Sequence, residues 1–246
     1  LLVSSPFPPL LDCTPTMPSS AMIKTLSTPI QLIYAGGTFG SYGRPLAPLS
    51  TDVFLPTLQK LLAEHNAATH LTPVSWLNND LIKDSSQLTP HDFIHFYRLL
   101  LSAYAQGHKR FVLITGTDTL SYLGAFLAEA FAGSDVCVVV TGSMRPLLDS
   151  EVLDAYTIDA HSDAWDNLTD ALKLAAAGES GVRISFGGES WPAQTVQKIH
   201  SHDFMAFTGH SRAAYPANSY IKSLSDTCRQ HWLDDQQALV STIEAR

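Results

Sequence analysis

Hydroxyl side chains, one carboxylate and one lysine occur at positions where they could do chemistry together. Thr117 and Asp118 follow an apolar, β-branched run that ends at Gly116, and Thr38 follows an earlier apolar run. A threonine hydroxyl is a weak nucleophile until a base removes its proton. Asp118 can orient Lys198, and Lys198 can act on Thr117, which gives a Thr–Lys–Asp relay in place of a histidine-based one. The residue types therefore favour nucleophilic attack by a hydroxyl group.

The elements that must position these side chains alternate between apolar strands and amphipathic helices. The predicted strands are residues 30–35, 70–76, 111–115, 136–141 and 182–186. The predicted helices are residues 53–63, 90–105 with Thr89 as N-cap, 120–131, and 162–177. We read five β-then-α units, which predict an α/β fold with a doubly wound, mainly parallel sheet and helices on both faces. Residues 189–196 suggest a hairpin, and residues 231–244 suggest either a helix or a connector with one strand.

Polar residues follow four consecutive predicted strands. They are Thr38, Ser85 with Ser86, Thr117 with Asp118, and Gly142 with Ser143. In an open parallel sheet, ligands bind outside the carboxyl ends of the strands. A single Ser or Thr there is usually a cap or a turn residue. The whole set in a row instead favours one polar site.

The order of these motifs resembles that of bacterial-type L-asparaginases. The matching segments are Gly36-Gly-Thr-Phe-Gly40, Asp84-Ser-Ser86 with Leu88-Thr-Pro90, Gly116-Thr-Asp-Thr119, Thr141-Gly-Ser-Met-Arg-Pro146, Ser162-Asp163 with Asn167-Leu168, and Lys198. The Asp-Ser-Ser-x-Leu-Thr-Pro run is similar to that of the cytosolic, type I branch. The resemblance covers roughly residues 30 to 208, which correspond to the amino-terminal domain of that family.

The resemblance implies hydrolysis of the side-chain amide of asparagine to aspartate and ammonia, without a cofactor or a metal. Thr38 matches the primary nucleophile, and Thr117, Asp118 and Lys198 match the second threonine with its supporting pair. The implied substrate contacts are Ser85 and Ser86 to the α-carboxylate, Asp118 to the α-ammonium, and the loops at Gly37 and Gly116. Fixed donors such as the Thr117 backbone N–H would stabilise the oxyanion. Tyr42 is a candidate for handling the proton.

Five departures from the family pattern stand out. Thr115 occupies the position where the family usually has His, and we interpret it as a packing position. Ala164 replaces a usual Gly, and the acidic loop 147–161 before it is longer than expected. The lid after Thr38 is short, so Tyr42 lies nearer to it in sequence than the family's second catalytic tyrosine does to its threonine. The family has a smaller carboxyl-terminal α/β domain, which contributes to sites between subunits, and we expect no counterpart of it in this chain.

The range of the resemblance determines the predicted domain organisation. Residues 1–28 are a Ser/Pro/Thr-rich leader with a possible start at Met22, residues 29–208 form the α/β domain, and residues 209–246 form a connector or the start of a further domain. Two alternatives to an asparaginase stay open. One is a catalytically silent homologue that only binds an amino acid, and the other is a glutaminase-like amidohydrolase.

The net charge and the cysteine content of the chain restrict its possible binding partners and its compartment. A formal net charge of −8 without any Lys/Arg cluster argues against nucleic acid and anionic membrane surfaces. We therefore expect a small-molecule substrate. The resemblance implies asparagine or glutamine, and a homo-oligomer weakened by the lack of the second domain. Three widely spaced cysteines favour a reducing compartment, and the type I resemblance implies a cytoplasmic location.

Three other motifs lead to weaker interpretations. The segment Gly36 to Gly43 lacks the G-x-G-x-x-G spacing of a dinucleotide site. The segment after Gly142 lacks the second glycine of a G-x-S-x-G elbow. His91 and His95 are spaced like metalloprotease ligands, but exposed histidines near a helix start are the simpler interpretation.

Overall fold

A six-stranded sheet carries the loops of interest. The structure, a computed structural model, describes residues 28–69, 72–151, 155–210 and 223–244. Its strands are β1 (Ile30–Tyr34), β2 (Ser41–Tyr42), β3 (Ala47–Pro48), β4 (Val74–Trp76), β5 (Arg110–Ile114), β6 (Cys137–Thr141), β7 (Gly181–Phe186), β8 (Glu189–Pro192), β9 (Gln197–Lys198) and β10 (Phe207–Thr208). Its helices are α1 (Thr51–Thr69), α2 (Pro90–Ala105), α3 (Leu120–Ala130), α4 (Ala164–Ala177) and α5 (Asp226–Glu244).

The strand order in the main sheet is β4-β1-β5-β6-β7-β8. The pairs from β4 to β7 are all parallel, and β8 is antiparallel to β7 at the edge. The chain moves from β1 outward to β4 and then returns to the other side of β1 with β5. This reversal makes a topological switch point between β1 and β5, where ligands bind in open α/β sheets. The predicted fold class is confirmed.

Both faces of the sheet are covered, because successive strand residues point to opposite sides. One face packs on α1 and α4, where buried residues such as Phe54 and Leu168 share a cluster with Leu32 and Ile114. On the other face, Gly124 of α3 lies close to the Ile184 side chain of β7, and α2 packs on α3. The strands are therefore buried on both sides, which explains their nearly continuous apolar runs.

The start of α2 follows its sequence signals closely. The Thr89 side chain accepts from the Asp92 backbone N–H, and the Asp92 side chain accepts from the Thr89 backbone N–H, with Pro90 between them at the first helical position. This reciprocal capping box satisfies two donors that a helix start would otherwise leave unpaired. The prediction of a helix at residues 90–105 is confirmed at both ends.

Two predictions about the fold were wrong in detail. The fifth β-then-α unit does not form, because β7 turns through Gly187 and Gly188 into the antiparallel strand β8. The two glycines take positive φ values of 59° and 79°, which makes the tight reversal possible. The helix predicted at residues 53–63 is longer, since α1 begins at Thr51 and ends at Thr69.

The carboxyl-terminal residues belong to a second compact unit, described here by itself. Of the two alternatives for residues 231–244, the helix is correct, because α5 begins at Asp226. Cys228 is disulfide-bonded, which the sequence did not indicate. Residues 1–27 of the predicted leader 1–28 lie outside the described residues. No helix in the described ranges has the length and apolar character needed to cross a membrane.

Candidate active site

The turns after β1 and β5 meet at the switch point. A Cβ atom built on Gly37 would lie 2.4 Å from the Gly116 Cα and 2.5 Å from the Gly116 nitrogen, so no side chain fits between the two backbones. Gly37 also takes a φ of 87°, which favours glycine. Thr38 directly follows Gly37, and Thr117 directly follows Gly116. The structure thus brings the two threonine-bearing turns together, as the sequence predicted.

The segment after β4 joins the same place through Ser85. The Asp118 backbone N–H donates to the Ser85 Oγ at 3.2 Å, and the Thr119 hydroxyl donates to the Ser85 carbonyl at 3.0 Å. The Ser85 side chain is also the nearest neighbour of Gly116, where an added Cβ would lie 2.4 Å from its Oγ. Ser85 is buried. It therefore supports the turn that carries Thr117 and Asp118.

Lys198 of β9 completes a charged cluster with that turn. Its Nζ donates to the Thr117 Oγ1 at 2.8 Å and to the Asp118 Oδ1 at 2.8 Å. The Lys198 side chain is 19% exposed, whereas that of Asp118 is 56% exposed. The ammonium thus lies on the inner side of the cluster and the carboxylate opens to solvent. The three residues come from two segments about 80 residues apart, and their contact is the one the relay requires.

Ser86 lies at the exposed side of the same short segment. Its backbone N–H and its hydroxyl both donate to the Asp84 Oδ1, each at 2.9 Å. Asp84 is the N-cap of the short 3-10 helix Ser85–Gln87. The hydroxyl predicted to contact a substrate carboxylate is therefore already engaged by a carboxylate of the protein.

Tyr42 lies in a different setting. It belongs to β2, which pairs with β3, and its ring centroid is 5.4 Å from that of Tyr156. Both rings pack against the core cluster of α1 and α4. The structure associates Tyr42 with the acidic loop after β6, and its part in proton transfer stays a prediction.

The turn after β6 is held by two polar side chains of α4 and its N-cap. Asp163 accepts from the backbone N–H groups of Met144 and Arg145, at distances between 2.9 and 3.1 Å. Asn167 donates to the Gly142 carbonyl at 3.0 Å and accepts from the Gly187 N–H at 2.9 Å. Burial raises the pKa of Asp163 above its ordinary value, although these backbone hydrogen bonds oppose the shift.

An open cavity of about 530 Å³ lies beside this turn. Arg145, Asp163, Asn167, Gly187 and Phe204 are among its lining residues, and the Arg145 guanidinium lies 5.0 Å from the centre of the Phe204 ring. The lining includes none of the residues of the lysine cluster. The hydroxyl and lysine geometry, and not this cavity, therefore defines the candidate active site.

The described residues contain no group of three or more His, Cys, Asp or Glu side chains placed to hold a metal ion. His95 is instead engaged locally, because its Nε2 lies 2.9 Å from the Asn79 Oδ1. The site chemistry is that of hydroxyl, ammonium and carboxylate groups.

Sequence reasoning missed several residues that support the site. Thr119 was read only as part of a motif, yet its hydroxyl holds the Ser85 carbonyl. Lys83 was not considered, although its Nζ donates to the Asp92 Oδ1 at 2.8 Å. The signal for Asp92 was present, because an acidic residue three positions after Thr89 completes a capping box.

The structure combines a mainly parallel α/β sheet with a hydroxyl–lysine–aspartate cluster beside its switch point, the region where such sheets bind ligands. The family model described as the amino-terminal asparaginase domain matches residues 29–222. The chain belongs to the asparaginase family.

Individual relatives agree with this assignment. The chain is 30% identical to a protein named "Probable L-asparaginase" from Deinococcus radiodurans, over 74% of this chain and 51% of the relative. It is 30% identical to "L-asparaginase 1" from Escherichia coli K12, over 72% of this chain and 49% of the relative. This similarity supports the likeness to the type I branch.

Solved structures show the same fold. The thermostable L-asparaginase from Thermococcus kodakarensis superposes with a TM-score of 0.59 and 25% identity, over 77% of this chain and 52% of that chain. A structure titled "Probable Cytoplasmic L-asparaginase" from Campylobacter jejuni gives a TM-score of 0.57 and 25% identity, over 74% and 52%. This chain thus spans about half the length of the relatives it matches.

Proposed function

We propose that this protein hydrolyses the side-chain amide of L-asparagine to L-aspartate and ammonia, with Thr38 as the nucleophile. The observation that carries the proposal is the position of the Lys198 ammonium, 2.8 Å from both the Thr117 hydroxyl and the Asp118 carboxylate. Membership of the asparaginase family supports the reaction class. The meeting of the two threonine-bearing turns at Gly37 and Gly116 supports the use of both hydroxyls on one small amide.

The proposed reaction has two halves. The Thr38 oxygen attacks the amide carbon, the hydroxyl proton passes through a side chain of the site or a water molecule to the amide nitrogen, and the carbonyl oxygen takes up negative charge. Collapse of this tetrahedral species breaks the C–N bond, and the nitrogen leaves as ammonia after gaining a proton. Water then cleaves the resulting ester, releasing aspartate and restoring the hydroxyl. Fixed donors at the turn, including the Thr117 backbone N–H, would stabilise the oxyanion in both halves.

The charges of the cluster suggest how the substrate is held. Asp118 is more than half exposed, so its second oxygen is open to the α-ammonium group of an amino acid. Ser85 and Ser86 border the same turn and would face the α-carboxylate. An α-ammonium at Asp118 would share the carboxylate with Lys198. Sharing weakens the hold of Asp118 on the lysine proton, and so favours proton transfer between Lys198 and Thr117 when the substrate is bound.

A second candidate function is binding of an amino acid without turnover. The observation that favours it is that the Lys198 Nζ already donates to both Thr117 and Asp118, so both groups are engaged before a substrate binds. The binding groups would then be in place without an active base. A glutaminase-like activity is a variant of the first proposal, since the contacts proposed above do not discriminate between the side chains of asparagine and glutamine.

We also propose that the protein acts in the cytoplasm. The supporting observation is the similarity to the Campylobacter jejuni structure whose title calls it a probable cytoplasmic enzyme, and the observation against it is the disulfide at Cys228. Assembly into a homo-oligomer stays a prediction, which light scattering of the purified protein tests.

Ammonia release from millimolar asparagine and glutamine by the purified protein tests the function. Thr38→Ala should abolish release without loss of the fold, because Thr38 is a partly exposed turn residue with little core packing. Thr38→Ser keeps a hydroxyl in the same place and serves as the matched control, which should retain activity. Release by Thr38→Ala at the parent rate would contradict the nucleophile assignment. Tight aspartate binding without release by the parent would favour the second candidate.

A further inference from the structure

We propose that Lys83 and Asp92 are positioning residues for the candidate active site, because their ion pair clamps the segment 83–89 that places Ser85 under Asp118. The proposal deepens the proposed amide hydrolysis and rests on it for the part that concerns substrate. Neither residue touches the proposed reacting atoms in the described structure. Their effect is transmitted through the backbone of the segment that they anchor.

The backbone of Lys83 lies directly against the turn that carries the proposed nucleophile. Its N–H donates to the Ala35 carbonyl at 3.1 Å. A Cβ built on Gly36 would lie 2.3 Å from the Lys83 carbonyl oxygen, and Gly36 takes a φ of 101°. The two chain segments are therefore in backbone contact without room for a side chain. Any shift of Lys83 must move the turn two residues before Thr38, or break this contact.

The side chain of Lys83 ends on a buried carboxylate. The Asp92 Oδ1 accepts from the Lys83 Nζ at 2.8 Å, while the Asp92 Oδ2 accepts from the Thr89 backbone N–H at 2.7 Å and from the Thr89 hydroxyl at 2.9 Å. The Asp92 side chain is only 10% exposed. Burial alone would raise the pKa of Asp92, but the hydrogen bonds from Lys83 and Thr89 outweigh it and leave the pKa below its usual value. Both ends of the segment are thus tied to one carboxylate.

Between these two ties lie the residues that meet the site. Ser85 accepts from the Asp118 backbone N–H and, through its carbonyl, from the Thr119 hydroxyl. Asp118 in turn pairs with Lys198. A continuous series of contacts therefore connects the clamp to the charged cluster. Loss of the clamp therefore loosens the proposed α-carboxylate and α-ammonium contacts through Ser85, whereas the attacking hydroxyl is reached only through the backbone contact of Lys83 with the turn before Thr38.

The test variant is Lys83→Met, which removes the ammonium but leaves the capping box between Thr89 and Asp92. We expect the KM for asparagine to rise by about tenfold or more, with a smaller fall in kcat, since loss of positioning in a site can cost up to about a hundredfold. Lys83→Arg keeps the charge and should recover most of the loss. Should Lys83→Met fold poorly because it leaves a buried charge unpaired, the double variant Lys83→Met with Asp92→Asn removes that charge and gives the same comparison.

Amide hydrogen exchange measured by NMR gives a second readout that needs no turnover. The Asp118 amide proton donates to the Ser85 Oγ, so its exchange should become about fivefold faster or more in Lys83→Met, as expected for increased local opening. The Phe131 amide, which donates to the Leu127 carbonyl at the opposite end of α3, should keep its parent rate.

The matched control is Lys109→Met. Lys109 pairs with the buried Asp135 at 2.6 Å, but this pair lies at the amino-terminal ends of β5 and β6, at the edge of the sheet opposite to the site. Lys109→Met should lower thermal stability without changing KM or the exchange of the Asp118 amide. An equal change in both variants would overturn the proposal, because a general loss of stability would explain it.

The two proposals fail in different ways. If the parent protein releases no ammonia, the proposed hydrolysis fails, and the exchange of the Asp118 amide still decides whether the clamp positions the turn. If the parent is active while Lys83→Met keeps the parent KM and the parent exchange rate, the clamp is only a structural ion pair and the positioning proposal is wrong.

Discussion

Replacing Lys198 by methionine separates a chemical role of this lysine from a structural one. Methionine has a similar length and volume but cannot donate to the Thr117 hydroxyl or pair with Asp118. Both contacts measure 2.8 Å in the parent structure. The lysine lies in the short strand β9, whose register partner for this residue is Phe207 of β10, so the backbone should keep its position.

The two roles predict effects of different size. If Lys198 takes part in proton transfer to or from Thr117, its loss should lower kcat by roughly 10² to 10⁴-fold, which corresponds to about 3 to 5 kcal/mol in the activation barrier. If the lysine only forms an ion pair with Asp118, the expected effect is far smaller. Asp118 is 56% exposed, so solvent screens the pair, and such pairs contribute about 0 to 1 kcal/mol. That is about fivefold at most.

The assay is the initial rate of ammonia release at saturating and at low asparagine, with thermal unfolding measured on the same samples. Lys173→Met is the matched control, because Lys173 also pairs with an aspartate at 2.8 Å but lies exposed on α4. We expect its kcat and KM to equal those of the parent. Lys198→Arg tests whether a positive charge alone suffices, since arginine keeps the pair with Asp118 but does not readily lose a proton.

Two results would refute this reasoning. A fall in kcat of less than about tenfold for Lys198→Met would demote the lysine to a structural ion pair. Full activity in Lys198→Arg would show that the charge, and not proton transfer, is what the site requires. If Lys198→Met lowers the melting temperature as well as the rate, the loss of rate would instead indicate that the β9–β10 hairpin has lost its position.

Two further predictions concern stability. The Thr115 Oγ1 is fully buried and makes no hydrogen bond within the described residues, so Thr115→Val should raise the unfolding free energy by about 1 kcal/mol, measured by urea denaturation, and should leave kcat unchanged. A loss of stability would show that the hydroxyl has a partner. The pKa of Asp92 is lowered from 3.8 in the folded state, so its contribution is present above that pH and is lost as the pH falls through the lower folded value. Unfolding measured from pH 6 to about pH 2 should therefore show a shallower acid-side decline in Asp92→Asn than in the parent, and parallel curves would contradict the assignment.

Features that depend on neighbouring residues could be read from the sequence. The start of α2 is specified by Thr89, Pro90 and Asp92 within four positions, and the structure confirms it. The alternation of apolar strands with helices led to the parallel sheet, because β1, β5 and β6 each have five residues that are almost all buried and apolar. The error at β7 was also local, because Gly187 and Gly188, which turn the chain back into β8 beside β7, are adjacent in sequence and were not interpreted as a hairpin turn.

Long-range contacts were predictable only where a physical rule applied. The rule that the carboxyl ends of parallel strands share one edge was enough to expect Thr38 near Thr117. The approach of Gly37 to Gly116 fits this expectation and explains why both motifs contain glycine. No such rule links Lys83 to the turn before Thr38. The contact of Lys83 with that turn depends on the path of the chain after β4. This segment is short and polar, so it has no hydrophobic periodicity from which its path could be predicted.

The engagement of Ser86 by Asp84 has a consequence for substrate binding. A substrate α-carboxylate that reached the Ser86 hydroxyl would compete with Asp84 for the same donor, and the two carboxylates would repel each other. Binding therefore requires that the Ser86 hydroxyl turns away from Asp84, while the backbone N–H of Ser86 keeps Asp84 in place as the N-cap. Because hydroxyl rotation is inexpensive and the cap stays intact, the segment can change partners without moving its backbone. A fixed backbone with one rotating hydroxyl is the arrangement that the Lys83–Asp92 clamp would preserve.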